Sequence, residues 1–258
     1  MDLGMKGLRV LVTAGANGIG LEVARAFVEE GAKVHVCDVD QKALRALAKS
    51  DPKITRTRAD VSDRAEVGKL FREALKALGG LDVLVNNAGI AGPTAKVEEM
   101  APEEWDRCLA INITGQFNCA RLAVPHLRKS RNASIVNLSS AAGKLGFALR
   151  TPYAAAKWGV IGFTKSLAVE LGQDGIRVNA ILPGVVEGER IERVFAAKAK
   201  ARGVPVETVR DEALSYVSMR TMVTHRQLAD TILFICSERG RTISGQPIAV
   251  DGDLQMLM

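Results

Sequence analysis

The sequence predicts a doubly wound α/β fold: one parallel seven-stranded sheet with helices on both faces. Three observations predict it. Short runs rich in Val, Ile and Leu recur along the chain without strict alternation, the pattern of strands buried on both faces. Amphipathic stretches of helical length separate them, the arrangement of βαβ units with right-handed crossovers. A glycine-rich segment also sits directly between the first strand and the first helix.

Arg9–Thr13 reads as the first strand and Ile19–Glu30 as the first helix. Lys33–Asp38 is the second strand, followed by a helix over Gln41–Lys49. Ile54–Val61 is the third strand, then Arg64–Leu78 a helix. Leu81–Asn86 is the fourth strand, and Glu103–Arg128 one long helix. Ser134–Ser139 is the fifth strand, followed by a helix over Tyr153–Leu171. Ile176–Leu182 is the sixth strand and Pro247–Asp251, preceded by a helix, the seventh. The stretch from Pro183 to about Thr224 holds charged helical segments and is long for a connector, so residues of about 185–224 are expected to form a lid. No Pro/Ser-rich linker divides the chain, and a single domain over residues 1–258 is expected.

At 258 residues the chain can bury a core without staples. Apolar residues make up 47% and charged residues 25%, which excludes a collagen-like, disulfide-scaffold or disordered chain. The cysteines Cys37, Cys108, Cys119 and Cys236 form no C-x-x-C pair and no zinc-type cluster with His35, His126 and His225. They read as reduced thiols of a cytoplasmic protein, and no metal site is expected. His35, inside a strand, reads as a packed or edge residue. The net charge of +6 comes from scattered basic residues, and aromatics are only 4%. That is a solvated surface, not a nucleic-acid face. No apolar run has membrane-span length, and the N-terminus lacks the apolar stretch of a signal peptide.

The segment Thr13-Ala14-Gly15-Ala16-Asn17-Gly18-Ile19-Gly20 follows the first strand and opens the first helix. Glycines there let the backbone turn sharply and approach a pyrophosphate, while the helix N-terminus offers N–H donors and positive potential. Asp38 ends the second strand, 18 residues past Gly20. A carboxylate at that point accepts from adenosine ribose hydroxyls and repels a 2′-phosphate. No Arg or Lys stands at Ala16, Asn17 or Val39 to hold such a phosphate. The segment therefore reads as a Rossmann-type turn that favours NAD over NADP. The alternative is a tight turn with a strand-end cap.

Tyr153 and Lys157 stand four apart at the start of a helix, which puts both on one face. Tyr-x-x-x-Lys alone is common and is equally a surface pair. Ser140 lies at the end of the fifth strand, 13 residues before Tyr153, and parallel-sheet enzymes gather their chemistry at strand C-terminal ends. A hydroxyl, a phenol and an ammonium in one place can handle the proton of an alcohol. A phenol ordinarily titrates at about pH 10, and a nearby cation in a partly dry site favours the phenolate.

With these motifs the chain resembles the short-chain dehydrogenases/reductases over nearly its whole length. The resemblance rests on the glycine loop, Asp60-Val61 after the third strand and Asn86-Asn87-Ala88-Gly89 after the fourth. It continues with Asn112 in Ile-Asn-Ile-Thr-Gly, Ser139-Ser140, Tyr153-Ala-Ala-Ala-Lys157 and Pro183-Gly184. It implies that Tyr153 is the general acid/base, that Lys157 favours its phenolate and binds the nicotinamide ribose, and that Ser140 polarises the substrate oxygen. Asn112 would hold a relay water through a local break in its helix. Gly15, Asn17, Gly18, Ile19 and Gly20 would line the pyrophosphate, Asp38 the adenosine ribose, and Asp60 and Val61 the adenine. Asn87, Ala88 and Gly89 would line the adjacent ribose, and Pro183, Gly184 and Val186 the nicotinamide side. Ser139 is expected to be a structural neighbour of Ser140.

Two positions depart from the family pattern. Ala14 stands where the first loop glycine is usual. Gly188 ends Pro183-Gly-Val-Val-Glu-Gly188, where a threonine hydroxyl is common. In the lid, Arg190 is a candidate partner for an anionic substrate group, the alternative being a solvated or Glu-paired arginine. Val194, Phe195 and Met219 are candidate pocket walls, and Met219 and Met222 equally core residues. The resulting expectation is an NAD-dependent oxidoreductase acting on a secondary alcohol/ketone pair of polyol, sugar-acid or hydroxy-acid type. The alternatives are an NADPH-dependent 3-oxoacyl-carrier-protein reductase and a non-catalytic, cofactor-sensing binding protein. The resemblance also implies a homotetramer, with the Asn112 and Tyr153 helices at one interface and the last strand with its preceding helix at another.

Overall fold

The structure is a computed structural model that describes residues 2–257, the side chains of Arg190, Ala197, Lys198 and Ala201 apart. β1 (Arg9–Thr13) runs through the glycine turn into α1 (Gly18–Glu29). The alternation continues through β2 (Lys33–Asp38), α2 (Gln41–Ser50), β3 (Thr55–Arg58), α3 (Arg64–Leu78) and β4 (Val83–Asn86). Next come α4 (Pro102–Leu109), a π-helical turn (Ala110–Thr114), α5 (Gly115–Leu127), β5 (Ser134–Leu138), α6 (Thr151–Leu171) and β6 (Arg177–Pro183). α7 (Glu189–Arg202), α8 (Val206–Ser215), α9 (His225–Cys236) and β7 (Pro247–Val250) complete the chain.

Local chemistry sets many helix ends. Asp40 caps α2 by accepting from the Lys42 and Ala43 amides, and Asp63 caps α3 through Ala65 and Glu66. Gly79, left-handed at φ +77°, ends α3. Thr224 and Gln227 close a reciprocal capping box at the start of α9. Pro152 occupies the first turn of α6, where its missing N–H costs nothing.

All seven strands pair in parallel, in the order β3-β2-β1-β4-β5-β6-β7. Strand side chains alternate between two apolar layers. Val10, Val12, Val83, Val85 and Val136 face α1, α2 and α9. Leu11, Leu84 and Ile135 face α3, α5 and α6. Burial on both faces is why these strands read as unbroken apolar runs. The strand order reverses between β1 and β4, and a crevice at such a switch point is the usual ligand site of an open α/β sheet.

Two elements differ from the sequence expectation beyond a residue or two at their ends. The helix read over Glu103–Arg128 is interrupted by the π turn at Ala110–Thr114, the local break at Asn112 that the resemblance implies, where the Asn112 amide donates inward to the Cys108 and Ile90 carbonyls. The expected strand Ile54–Val61 shrinks to Thr55–Arg58. Asp60 leaves the sheet: its N–H donates to Glu66 and its carboxylate accepts from the Ser62 N–H and hydroxyl.

Candidate active site

Most of the expected site residues lie on segments that follow the C-terminal ends of β1, β2, β4, β5 and β6. At the first of these, the Gly15 N–H donates to the Cys37 carbonyl at 3.0 Å, tying the loop to β2. Asn17 is extended and opens α1 without a side-chain cap, and no acidic residue stands in the first turn. The amides at Gly18, Ile19 and Gly20 therefore keep the positive end of the helix clear for an anion. A Cβ at Gly20 would overlap the Ala14 carbonyl oxygen and lie 2.5 Å from Asn87 Nδ2, so only glycine lets the helix approach the loop this closely. The cradle fits a pyrophosphate.

Asp38 closes β2. Its carboxylate accepts from the Ala16 N–H at 3.2 Å and the Asp40 N–H at 3.0 Å, which holds it at the rim beside the loop. Val61 is buried, and its carbonyl accepts from Asn118 Nδ2 at 3.0 Å. Asn87 reaches back with its amide to the Thr13 and Ala14 carbonyls, both at 3.0 Å. Thr13 was not singled out in the sequence. Its hydroxyl accepts the N–H groups of Asn87 and Ala88, both at 2.9 Å, and so bends the chain off β4. A hydroxyl ending the strand just before the glycine loop was the available signal.

At the far side of the crevice Lys157 is 3% exposed and donates to the Leu138 carbonyl at 2.9 Å. Its ammonium lies 5.5 Å from the centroid of the partly exposed Tyr153 ring, one helical turn earlier on α6. Ser140, partly exposed, caps a short turn by accepting from the Ala142 N–H at 3.2 Å. The neighbouring Ser139 is buried and donates to the Lys157 backbone carbonyl at 2.7 Å. The two serines thus divide: Ser139 holds α6, and Ser140 stays partly exposed just past the end of β5.

Asn112 is fully buried in the π turn. Its amide also meets Cys108 Sγ at 3.3 Å, and its Oδ1 is buried without a partner. A Cβ at Gly89 would lie 2.7 Å from that Oδ1 and 3.4 Å from Lys157 Nζ. Gly89 therefore lets Asn112 and Lys157 share one space. Burial pushes the Cys108 thiol up, against the Asn112 hydrogen bond and the Lys157 and Arg150 charges. Arg150, also missed in the sequence, donates to the Ala91 carbonyl at 2.9 Å and lies 5.5 Å over the Phe147 ring.

Pro183 ends β6, and the Gly184 N–H donates to the Val250 carbonyl at 3.1 Å. Val186 pairs with Val223, which pins the start of the 185–224 segment to the entry of α9. Gly188 has φ +124°, with a Cβ position 3.2 Å from the His225 ring. Phe195, expected at a pocket wall, is instead buried with Ala199 and Val209 in an apolar core joining α7 and α8. Met219 is 70% exposed and is not core, while Met222 packs partly against that α7–α8 core. The Arg190 side chain lies outside the described residues.

A family model described as short chain dehydrogenase matches residues 9–199. The chain belongs to the short-chain dehydrogenase family. Family membership makes it an oxidoreductase working with a nicotinamide cofactor. Among its relatives, D-beta-hydroxybutyrate dehydrogenase of Cupriavidus necator is 37% identical over 96% of this chain and 98% of its own. A 3-oxoacyl-acyl-carrier-protein reductase of Thermotoga maritima is 36% identical over 97% and 98%. Among solved structures, levodione reductase superposes with a TM-score of 0.89 at 29% identity, covering 96% of this chain and 97% of that one. A variant of actinorhodin polyketide ketoreductase, solved with NADPH, gives 0.90 at 32% identity, covering 95% and 96%. These short-chain dehydrogenases differ in the substrates their names carry.

Proposed function

We propose that the protein is an NAD-dependent oxidoreductase that interconverts a secondary alcohol and its ketone, of polyol, sugar-acid or hydroxy-acid type. One observation carries the reading: Lys157 holds its ammonium 5.5 Å from the Tyr153 ring centre, at the strand ends beside Ser140. The nicotinamide, when bound, supplies or takes up the hydride. The chain's own groups do the rest. Tyr153 takes the alcohol proton in oxidation and returns it in reduction. Lys157 sets its ammonium beside the Tyr153 ring. Ser140 donates to the substrate oxygen, and Asn112 orients the proton relay behind Lys157.

Gly15, Asn17, Gly18, Ile19 and Gly20 hold the pyrophosphate, and Asp38 the adenosine ribose. Asp60 and Val61 flank the adenine, and Asn87, Ala88 and Gly89 the adjacent ribose. Pro183, Gly184 and Val186 meet the nicotinamide side, and residues 185–224 form the lid over the substrate. The preference for NAD rests on the Asp38 carboxylate at the rim, beside an exposed Val39. The hydroxy-acid choice draws support from the name of the Cupriavidus relative.

The test is a fluorescence titration of the purified chain with NADH and with NADPH at one salt concentration. NADH binding tighter by about tenfold, or about 1.4 kcal/mol, is the expected result, and polyols and hydroxy acids are then screened with NAD. Equal or tighter NADPH binding rejects the Asp38 reading and puts 3-oxoacyl reduction first. The proposed assembly is a cytoplasmic homotetramer. Exposed Phe117 and Trp158 on α5 and α6, and Phe234 on α9, mark the faces it would cover. Light scattering at micromolar concentration checks it, and a monomer rejects it.

A further inference from the structure

A single backbone carbonyl at the catalytic edge of the sheet serves two side chains. The carbonyl of Leu138, the last residue of β5, accepts from Lys157 Nζ at 2.9 Å and from Gln116 Nε2 at 3.1 Å. The ladder explains why it is available. In a parallel sheet the N–H and C=O groups of alternate residues address the same neighbouring strand. The Ser134 N–H donates to Asp82 just before β4, and the Ser139 N–H donates to Ile181 in β6. Residues 134, 136 and 138 therefore address β4. The donor due to the Leu138 carbonyl is the Ala88 N–H, but Thr13 Oγ1 takes it at 2.9 Å. The sheet opens at that step, and the released carbonyl turns to Gln116 and Lys157.

Gln116 is an expensive residue for this position. It is 3% exposed, and its Oε1 is buried with no partner. A half-satisfied amide in a core costs stability, and an aliphatic side chain would remove that cost. The amide orientation is dictated, because only its NH2 group can meet a carbonyl.

We propose that Gln116 is a positioning residue for Lys157: it fixes the Leu138 carbonyl, and that carbonyl holds the ammonium over Tyr153. The proposal rests on the reading of Tyr153 and Lys157 given above. Without the second donor the carbonyl is free to tilt, the ammonium retreats from the ring, and the phenolate loses its neighbouring charge.

The chain contains only two tyrosines, so in a Tyr216→Phe background phenolate absorbance reports Tyr153 alone. The full-length chain is titrated with Gln116, with Gln116→Met, and with Gln116→Leu as a second apolar variant should the first fold poorly. The expected result is a phenolate rise displaced to higher pH by about 0.5 unit or more, roughly a threefold change in the ionisation constant. A rise unmoved or displaced to lower pH in either folded variant overturns the proposal, whatever happens to Tm. Lys157→Met, titrated in parallel, separates the two readings. If that variant leaves the rise in place, Lys157 does not act on Tyr153 and the underlying reading fails. If it moves the rise and Gln116→Met does not, only the role of Gln116 fails.

Discussion

The Asn87 side chain donates to the Ala14 carbonyl at 3.0 Å, and Ala14 itself sits in the left-handed region at φ +49°. The turn after β4 thus grips the glycine loop from across the switch point. The grip is tight enough to hold a non-glycine residue in a conformation that L-residues avoid.

Asn87→Ala removes two donors at once and leaves the Thr13 and Ala14 carbonyls without that partner. The loop is expected to loosen and NADH binding to weaken by about tenfold, or about 1.4 kcal/mol. A fluorescence titration reads this, and an unchanged Kd would show that the loop holds its shape without Asn87.

Ala14→Gly relieves the left-handed strain but adds backbone freedom to the unfolded chain. Strain of about 1–2 kcal/mol against an entropy cost of about 0.5–1 kcal/mol leaves a net gain between about 0 and 1.5 kcal/mol. For a chain of this size the corresponding rise in Tm is at most about 6 °C. Scanning calorimetry decides it, and a lower Tm would mean the alanine methyl contributes packing that exceeds its strain.

Acid stability is expected to depend on His35. It is 2% exposed and bridges Thr55 Oγ1 at 2.8 Å and Thr57 Oγ1 at 3.0 Å. Burial lowers its pKa from 6.5 to about 4, with Glu73 opposing the shift. The unfolded chain therefore binds the proton first as pH falls. His35 contributes fully above about pH 6.5, and that contribution drains away down to about pH 4, a loss of about 3 kcal/mol. Urea midpoints across this range should fall with pH, and His35→Gln should flatten the slope. A parallel slope in the variant would show that the loss over this range does not come from His35; the contribution of Asp82, whose pKa Arg9 holds below its ordinary value despite burial, drains away only below about pH 4.

Arg177 is the buried cap of α9. Its guanidinium donates to the Ile235, Cys236 and Gly240 carbonyls and to Asn132 Oδ1. Arg177→Met removes these donors, leaving the Cys236 carbonyl to Asn132 Nδ2 and the Gly240 carbonyl to the Ile243 N–H, and is expected to destabilise the fold by about 2–4 kcal/mol. Arg177→Lys, a point donor without the planar fork, should lose an intermediate amount. Equal urea midpoints for wild type and Met variant would count against the cap.

Much of this architecture is local and therefore readable. The apolar runs, the glycine turn, Asp63 and Gly79 at the ends of α3, and the four-residue spacing of Tyr153 and Lys157 all express backbone periodicity or cap chemistry. The Asn112 break was expected only from resemblance: Ile-Asn-Ile-Thr-Gly is made of weak helix formers, but weak propensity by itself places no break within a long helix. It forms because the Asn112 amide finds the Ile90 carbonyl, 22 residues away. Phe195 shows the opposite failure: an apolar residue on α7 was read toward a pocket, and α7 and α8 buried it between themselves.

By itself the sequence determined the fold class, the nucleotide-type turn after β1 and the set of polar residues brought to the strand ends, since each follows from patterns within about twenty residues. Only the tertiary structure decided which partner each of those residues meets. Thr13 captures the Ala88 N–H across 75 residues, and that capture releases the Leu138 carbonyl to Gln116 and Lys157. Such a trade depends on the register between strands far apart in the chain and on where a ladder stops, and neither leaves a periodic mark in the sequence.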